Sequence, residues 1–116
     1  MAVPFEKVRS MVETKVYVGL NDADTLEQKF ETKKYISILR SVCFSYRAPF
    51  SFSVMEGGYF HENGDFTEEN TLALSFFDVD RVVVEEIARD LCAFFHQESV
   101  LIAESTTTTR FVHEEL

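Results

Sequence analysis

Two apolar, alternating segments flank the polar pentapeptide His61-Glu62-Asn63-Gly64-Asp65, and this Asn-Gly-centred tip between residues 50–60 and 66–78 predicts a β-hairpin. The side-chain period of a strand is two, so its face assignments can be tested by parity. Core candidates are Phe50, Phe52 and Val54 on the first strand and Leu72, Leu74 and Phe76 on the second, all at even positions. Opposed residues share a face, which requires an even pairing sum. A two-residue Asn63-Gly64 turn would instead pair Glu62 with Asp65 and set Phe52 against Ser75. The register therefore needs an irregularity. Either Gly57-Gly58 supplies an extra residue, or the loop is Glu62-Asn63-Gly64 with Gly64 left-handed in a G1 bulge. The second is preferred, because it pairs Phe60 with Phe66, Phe52 with Leu74 and Phe50 with Phe76. Gly57-Gly58 then marks a bend or a close backbone approach.

The flanking segments supply further elements. Phe5, Val8, Met11 and Val12 recur at helical spacing after Pro4, which predicts a short N-terminal helix or an arm. Val16, Val18 and Leu20 alternate with Lys15, Tyr17 and Gly19, as in a half-buried strand. Thr25 and Gln28 have capping-box spacing. A helix begun there would set Leu26 and Phe30 nearly opposite Tyr35, Ile36, Leu39, Val42, Cys43 and Tyr46, so the main helix is restarted at Thr32 as cap and ends near Ser45. After Phe77, Asp78 or Asp80 caps a second helix whose apolar arc is Val83, Val84, Ile87, Ala88, Leu91, Phe94 and Phe95. Val100 to Ala103 reads as a last strand, with a β-prone tail after it that either lengthens the strand or pairs with another molecule.

The resulting order, strand-helix-strand-strand-helix-strand, is the α+β, ferredoxin-like βαββαβ arrangement, with a four-stranded antiparallel sheet and two helices on one face. One domain over residues 1–116 is expected, with its core at 14–104, an arm or short helix at 1–13 and an extension at 105–116. The uncovered sheet face would carry Tyr17, Met55, Tyr59 and Phe77 among small residues, a natural site for a dimer mate or a ligand.

Val16-Tyr17-Val18-Gly19-Leu20-Asn21-Asp22, Glu56-Gly57-Gly58-Tyr59-Phe60, His61-Glu62-Asn63-Gly64, Glu69-Asn70-Thr71-Leu72 and Gln97-Glu98-Ser99-Val100 together resemble a group of short, uncharacterised ferredoxin-like proteins from bacteria, their phages and mobile elements. The resemblance implies the fold and brings no catalytic residues with it.

Charge is concentrated. Residues 1–58 hold eight basic and seven acidic side chains, net +1, whereas residues 59–116 hold three and thirteen, net −10, which together give the chain's −9. Such a chain repels nucleic acid and attracts a basic protein surface. Glu62, Asp65, Glu68, Glu69, Asp78, Asp80, Glu85, Glu86 and Asp90 are the candidate partner-binding acids. No nucleophile–base spacing, phosphate loop or metal motif is present; His61, Glu62 and Asp65 at the hairpin tip are read as solvated polar residues and His96 as a helix-end residue. Cys43 and Cys92 read as buried free thiols, and neither cofactor nor metal is expected. No signal peptide or membrane span is recognisable, which places the chain in the cytoplasm. The reading is a non-enzymatic protein-interaction module, an inhibitor of a host defence complex in the manner of an anti-CRISPR protein, dimeric through the open face or the last strand. The alternative is a dimeric small-molecule-binding protein or enzyme with its site on the open sheet face.

Overall fold

The structure, a computed structural model, describes residues 8–114. Its elements are β1 (Arg9–Gly19), α1 (Thr32–Ser45), β2 (Ser51–Phe60), β3 (Phe66–Phe77), α2 (Arg81–Phe94) and β4 (Leu101–Thr109). The strands form one antiparallel sheet in the order β2-β3-β1-β4, so the architecture is the expected α+β ferredoxin-like one.

The hairpin takes the three-residue alternative. Phe52 pairs with Leu74 and Phe60 with Phe66, and Gly64 has φ +93° in a tip closed by the His61 N–H donating to the Asp65 carbonyl at 2.8 Å. Only Gly adopts that backbone without strain. Gly58 marks a close approach, since a Cβ there would lie 2.3 Å from the Thr67 carbonyl oxygen.

Even positions face the helices. Val16, Val18 and Leu20 of the β1 segment and Leu72, Leu74 and Phe76 of β3 pack against Tyr35, Leu39, Val42 and Cys43 of α1 and Val84, Ile87, Ala88 and Leu91 of α2. Each large side chain removed from water this way contributes about 1.5–3 kcal/mol. Val54, assigned by parity to the core, remains 45% exposed near the limit of the helix layer.

Both helices end in the same way. Arg47 (φ +54°) follows α1 and His96 (φ +50°) follows α2, and the next residues, Ala48 and Gln97, donate back to the Cys43 and Cys92 carbonyls at 3.2 and 2.9 Å. These are Schellman stops built without glycine. Asp80 caps α2 by accepting the Val82 N–H at 2.9 Å. The N-cap of α1 is Glu31 rather than Thr32, and its side chain makes no capping bond.

Two local expectations are corrected, and of the two alternatives for the tail the first is found. Residues 9–13 extend β1 instead of forming a helix, pairing with β4 from Arg9–Thr109 onward, and the rest of the expected N-terminal helix lies outside the described residues. Thr25 and Gln28 start no helix; the Gln28 amide donates to the Phe30 carbonyl and the Thr32 hydroxyl, and Gln28 bridges to Asn21. The tail after Ala103 lengthens the strand through Thr109.

The strand stagger gives the molecule its shape. The β2–β3 ribbon continues beyond Gly19–Thr71, and the β1–β4 ribbon continues beyond Glu13–Phe77, in opposite directions. The extents are therefore 65 × 33 × 26 Å, and the radius of gyration of 17.7 Å exceeds the roughly 13 Å of a compact chain this long. Among the described residues no helix is long and apolar enough to cross a membrane.

Candidate functional site

Odd-numbered residues of the strands face away from the helices, and where the β2–β3 ribbon leaves the main sheet they line a shallow cavity of about 310 Å³. Its walls include Tyr17 from β1, Met55, Gly57 and Tyr59 from β2, Glu69 and Thr71 from β3, and Leu101 from β4. A second depression of about 290 Å³, lined by Glu13, Lys15, Ser51, Ser53 and Ser75, shares Tyr17 and Met55 with the first, so the two join into one groove. Together they reach the size of a small-molecule site.

The polar groups of the groove are held in place. Glu69 lies over Gly19, and its Oε2 accepts the Asn21 backbone N–H at 3.2 Å. Tyr59 meets the His61 ring edge-on at 5.1 Å between centroids, and His61 Nε2 is 2.7 Å from the Thr67 hydroxyl. Glu13 accepts the Ser75 hydroxyl at 3.1 Å. Two aromatic rings, a thioether and a carboxylate thus converge on one uncovered surface, a combination that suits a flat, partly cationic organic ligand.

Behind the groove an ion-pair latch fixes the loop after β1. Asp22, with its side chain only 5% exposed, receives His96 Nδ1 at 2.7 Å and Lys29 Nζ at 3.1 Å on Oδ2, while Oδ1 accepts the Asp24 and Thr25 backbone N–H groups. The His96 hydrogen bond, followed by the Asp24 N–H, holds the Asp22 carboxyl far below the usual carboxylate range. The same bond, reinforced by the charges of Asp22 and Asp24, raises His96 above its ordinary 6.5. His96 is thus a partner of Asp22, where the sequence suggests only a helix-end residue. Asp22, Asp24 and His96 bring their ligand atoms within 4.8 Å of one another, but Lys29 already supplies a cation to Asp22. The arrangement is that of a structural clasp.

Of the sequence-derived face residues, Tyr17, Met55 and Tyr59 come together in the groove. Phe77 lies on the same face but opposite Glu13 at the far end of β3, 48% exposed. The candidate partner-binding acids are distributed over the molecule. Glu62 and Asp65 sit at the hairpin tip with Glu68 on the ribbon, and Glu69 faces the groove. Asp78 and Asp80 lie about 30 Å along β3 from Glu69. There Asp78 accepts Arg9 at 2.9 Å and the Val12 N–H, and Asp80 caps α2. Glu85, Glu86 and Asp90 are on α2, where Asp90 accepts the Tyr46 hydroxyl at 2.8 Å and raises its pKa. Glu69 lines the groove although sequence reasoning did not assign it there, and it lies over Gly19, which the alternation of β1 had already put on the open face. Its odd number places it on that face too, and the β1–β3 register was the missing link.

Neither the known protein-family models nor the curated proteins contain a match to this chain. Solved structures do. A phage SAM lyase in complex with S-methyl-5′-thioadenosine is similar with a TM-score of 0.63 at 16% identity, over 85% of this chain and 90% of the lyase. A phage SAM lyase in its apo state gives 0.64 at 16% identity, over 90% and 91%. CutA from Synechococcus elongatus is a weaker likeness, with a TM-score of 0.41 at 11% identity over 90% and 83%. At such identities the likeness establishes the fold, a small ferredoxin-like domain of a kind also used by a phage enzyme.

Proposed function

We propose that the open-face groove binds an adenosyl sulfonium of the S-adenosylmethionine (SAM) class and that the chain acts on it as a lyase. The observation that carries this reading is the convergence of Tyr17, Met55, Tyr59 and Glu69 on the uncovered face. The likeness of nearly the whole chain to a phage SAM lyase supports it. Tyr17 and Tyr59 offer faces for an adenine ring or a cationic sulfur, and Glu69 offers the opposite charge. As the bond from sulfur to the aminobutyryl γ-carbon breaks, the substrate's own carboxylate closes on that carbon to give homoserine lactone, while the electron pair goes to sulfur, which changes from sulfonium to neutral thioether and leaves as S-methyl-5′-thioadenosine. A carboxylate beside the sulfur stabilises the cation more than the neutral product, so Glu69 serves binding and orientation rather than acceleration of cleavage. Consuming SAM would also serve a phage inhibitor, by withdrawing a methyl donor from host defence enzymes. The groove is shallow and open to one side, and a second copy laid on the open face or added along the β4 edge would cover it. Isothermal titration of sinefungin, an uncleavable SAM analogue, against wild type and against Gly57→Leu tests the site. Gly57 has open space above it, so a leucine there fills the groove and should abolish binding; undiminished binding would place the ligand elsewhere.

A second reading is favoured by the exposed acids Glu62, Asp65 and Glu68 on the projecting ribbon. In it the ribbon binds a basic protein surface and blocks a host defence complex, as anti-CRISPR proteins do, without catalysis. Reversal of all three to Lys should then abolish inhibition of that complex while leaving sinefungin titration unchanged.

A further inference from the structure

We infer that Gly19 and Asn21 form a seat that fixes the Glu69 carboxylate in the groove, and are positioning residues for recognition of a cationic ligand. The inference rests on the reading that this groove takes a sulfonium nucleoside. Gly19 closes β1 opposite Thr71, on the same face as Tyr17 and beside Glu69 on the neighbouring strand. A Cβ on Gly19 would lie 2.5 Å from Glu69 Oε2, 2.6 Å from Cδ and 2.8 Å from Oε1, so the carboxylate occupies the space that any other residue would fill.

Asn21 holds the same carboxylate from the side. Its backbone N–H donates to Oε2 at 3.2 Å, and its Nδ2 donates to the Glu68 carbonyl at 2.8 Å, which fixes the strand that carries Glu69. Asn21 is itself buried, and its carbonyl accepts the Gln97 side-chain amide from the end of α2. The Asp22–His96 clasp fastens the next residue. Glu69, facing the groove, is therefore located by Gly19 at the end of β1, by buried Asn21 in the loop that follows, and through Asn21 by Gln97 after α2.

The geometry makes Gly19→Ala a selective perturbation. Gly19 has no positive φ, so alanine suits its backbone, and the clash is with the far end of a flexible side chain. The carboxylate must swing by about 1 Å to reach ordinary contact distance, a displacement of the size that costs about a hundredfold where orientation matters. A single charged group moved in this way should affect a cation far more than an uncharged analogue.

The test is isothermal titration of the full chain with sinefungin, an uncleavable SAM analogue with an ammonium group in place of the sulfonium, as the cationic probe and S-methyl-5′-thioadenosine as the neutral one. Wild type should prefer the cation. Glu69→Gln and Gly19→Ala should each lose about tenfold or more of that preference, with the neutral ligand's affinity changed far less. The double variant Gly19→Ala/Glu69→Asp, whose shorter side chain relieves the clash, should regain part of it, which a merely structural role for Gly19 does not predict. The inference is overturned if Glu69→Gln loses the preference while Gly19→Ala keeps it. It is equally overturned if circular dichroism shows Gly19→Ala unfolded, since the clash is then not relieved by the carboxylate. Wild type binding neither probe would instead remove the reading of the groove, and the seat's ligand role with it.

Discussion

Alanine at Gly58 and alanine at Gly57 should have opposite effects on stability, although the two residues are adjacent in β2. Pleating points their missing side chains to opposite faces. At Gly58 a Cβ would sit 2.3 Å from the Thr67 carbonyl oxygen and 2.5 and 2.9 Å from two atoms of the Phe66 ring. Phe66 can turn, but the carbonyl belongs to β3, and opening that contact moves one strand of the ribbon by about 1 Å. Overpacking of this kind costs about 1–3 kcal/mol. At roughly 4 °C per kcal/mol for a chain of this size, the melting temperature should fall by about 4–12 °C. At Gly57 nothing lies within 4 Å of the added Cβ, and restricting the unfolded chain gains about 0.5–1 kcal/mol. Gly57→Ala should therefore melt about 2–4 °C higher than wild type. Because Gly57 lines the groove, the same variant should bind SAM more weakly even as it becomes more stable. Thermal unfolding followed by far-UV circular dichroism separates the pair. Equal melting temperatures for the two variants, or an unaltered Gly58→Ala, would refute the assignment of faces on the ribbon.

The Asp22–His96 clasp should make stability depend on pH at both ends. His96 is raised above 6.5, so its contribution is fully present below about that pH and is lost as pH rises through the folded value. Asp22 is lowered from 3.8, so its contribution is present above that pH and is lost as acid protonates it in the folded state. Urea midpoints measured from pH 5 to 9 should fall in wild type and stay flatter in His96→Ala; parallel profiles would dismiss the clasp as a source of stability. Burial pushes the Cys43 thiol up to about 11, whereas Cys92 is partly accessible and donates to the Gln97 carbonyl at 3.2 Å. A thiol reagent at pH 8 should thus label Cys92 first in the native protein, and peptide mapping that finds Cys43 labelled first would contradict the packing of α1.

The sheet was legible because its constraint is arithmetic. Once Phe52 and Leu74 must share a face, the pairing sum is even, and a bare Asn-Gly turn is excluded before any coordinate is known. The second helix was equally legible, because Val84, Ile87, Ala88 and Leu91 repeat at helical spacing and become buried. The start of β1 was misread for a physical reason. Beyond Glu13 that strand has lost its β3 neighbour, so Val12 is exposed and the alternation fades, leaving an apparent three-to-four spacing. The Thr25–Gln28 signal misled because Gln28 finds better partners in Phe30, Thr32 and Asn70. Three groove residues, Tyr17, Met55 and Tyr59, follow from parity alone. Glu69 does not, because its role depends on lying against a glycine fifty positions earlier, a contact that only the β1–β3 register creates. Charge counting grouped it with acids such as Asp80, which caps a helix at the other end of β3.

The most direct measurement is chromatography with mass detection of SAM incubated with the purified chain, with Glu69→Gln run alongside. With SAM held well below its dissociation constant, S-methyl-5′-thioadenosine should accumulate in proportion to wild-type protein and far more slowly with the variant, whose binding is weakened. SAM recovered intact after prolonged incubation with folded wild type, or equal turnover by both proteins, would contradict it.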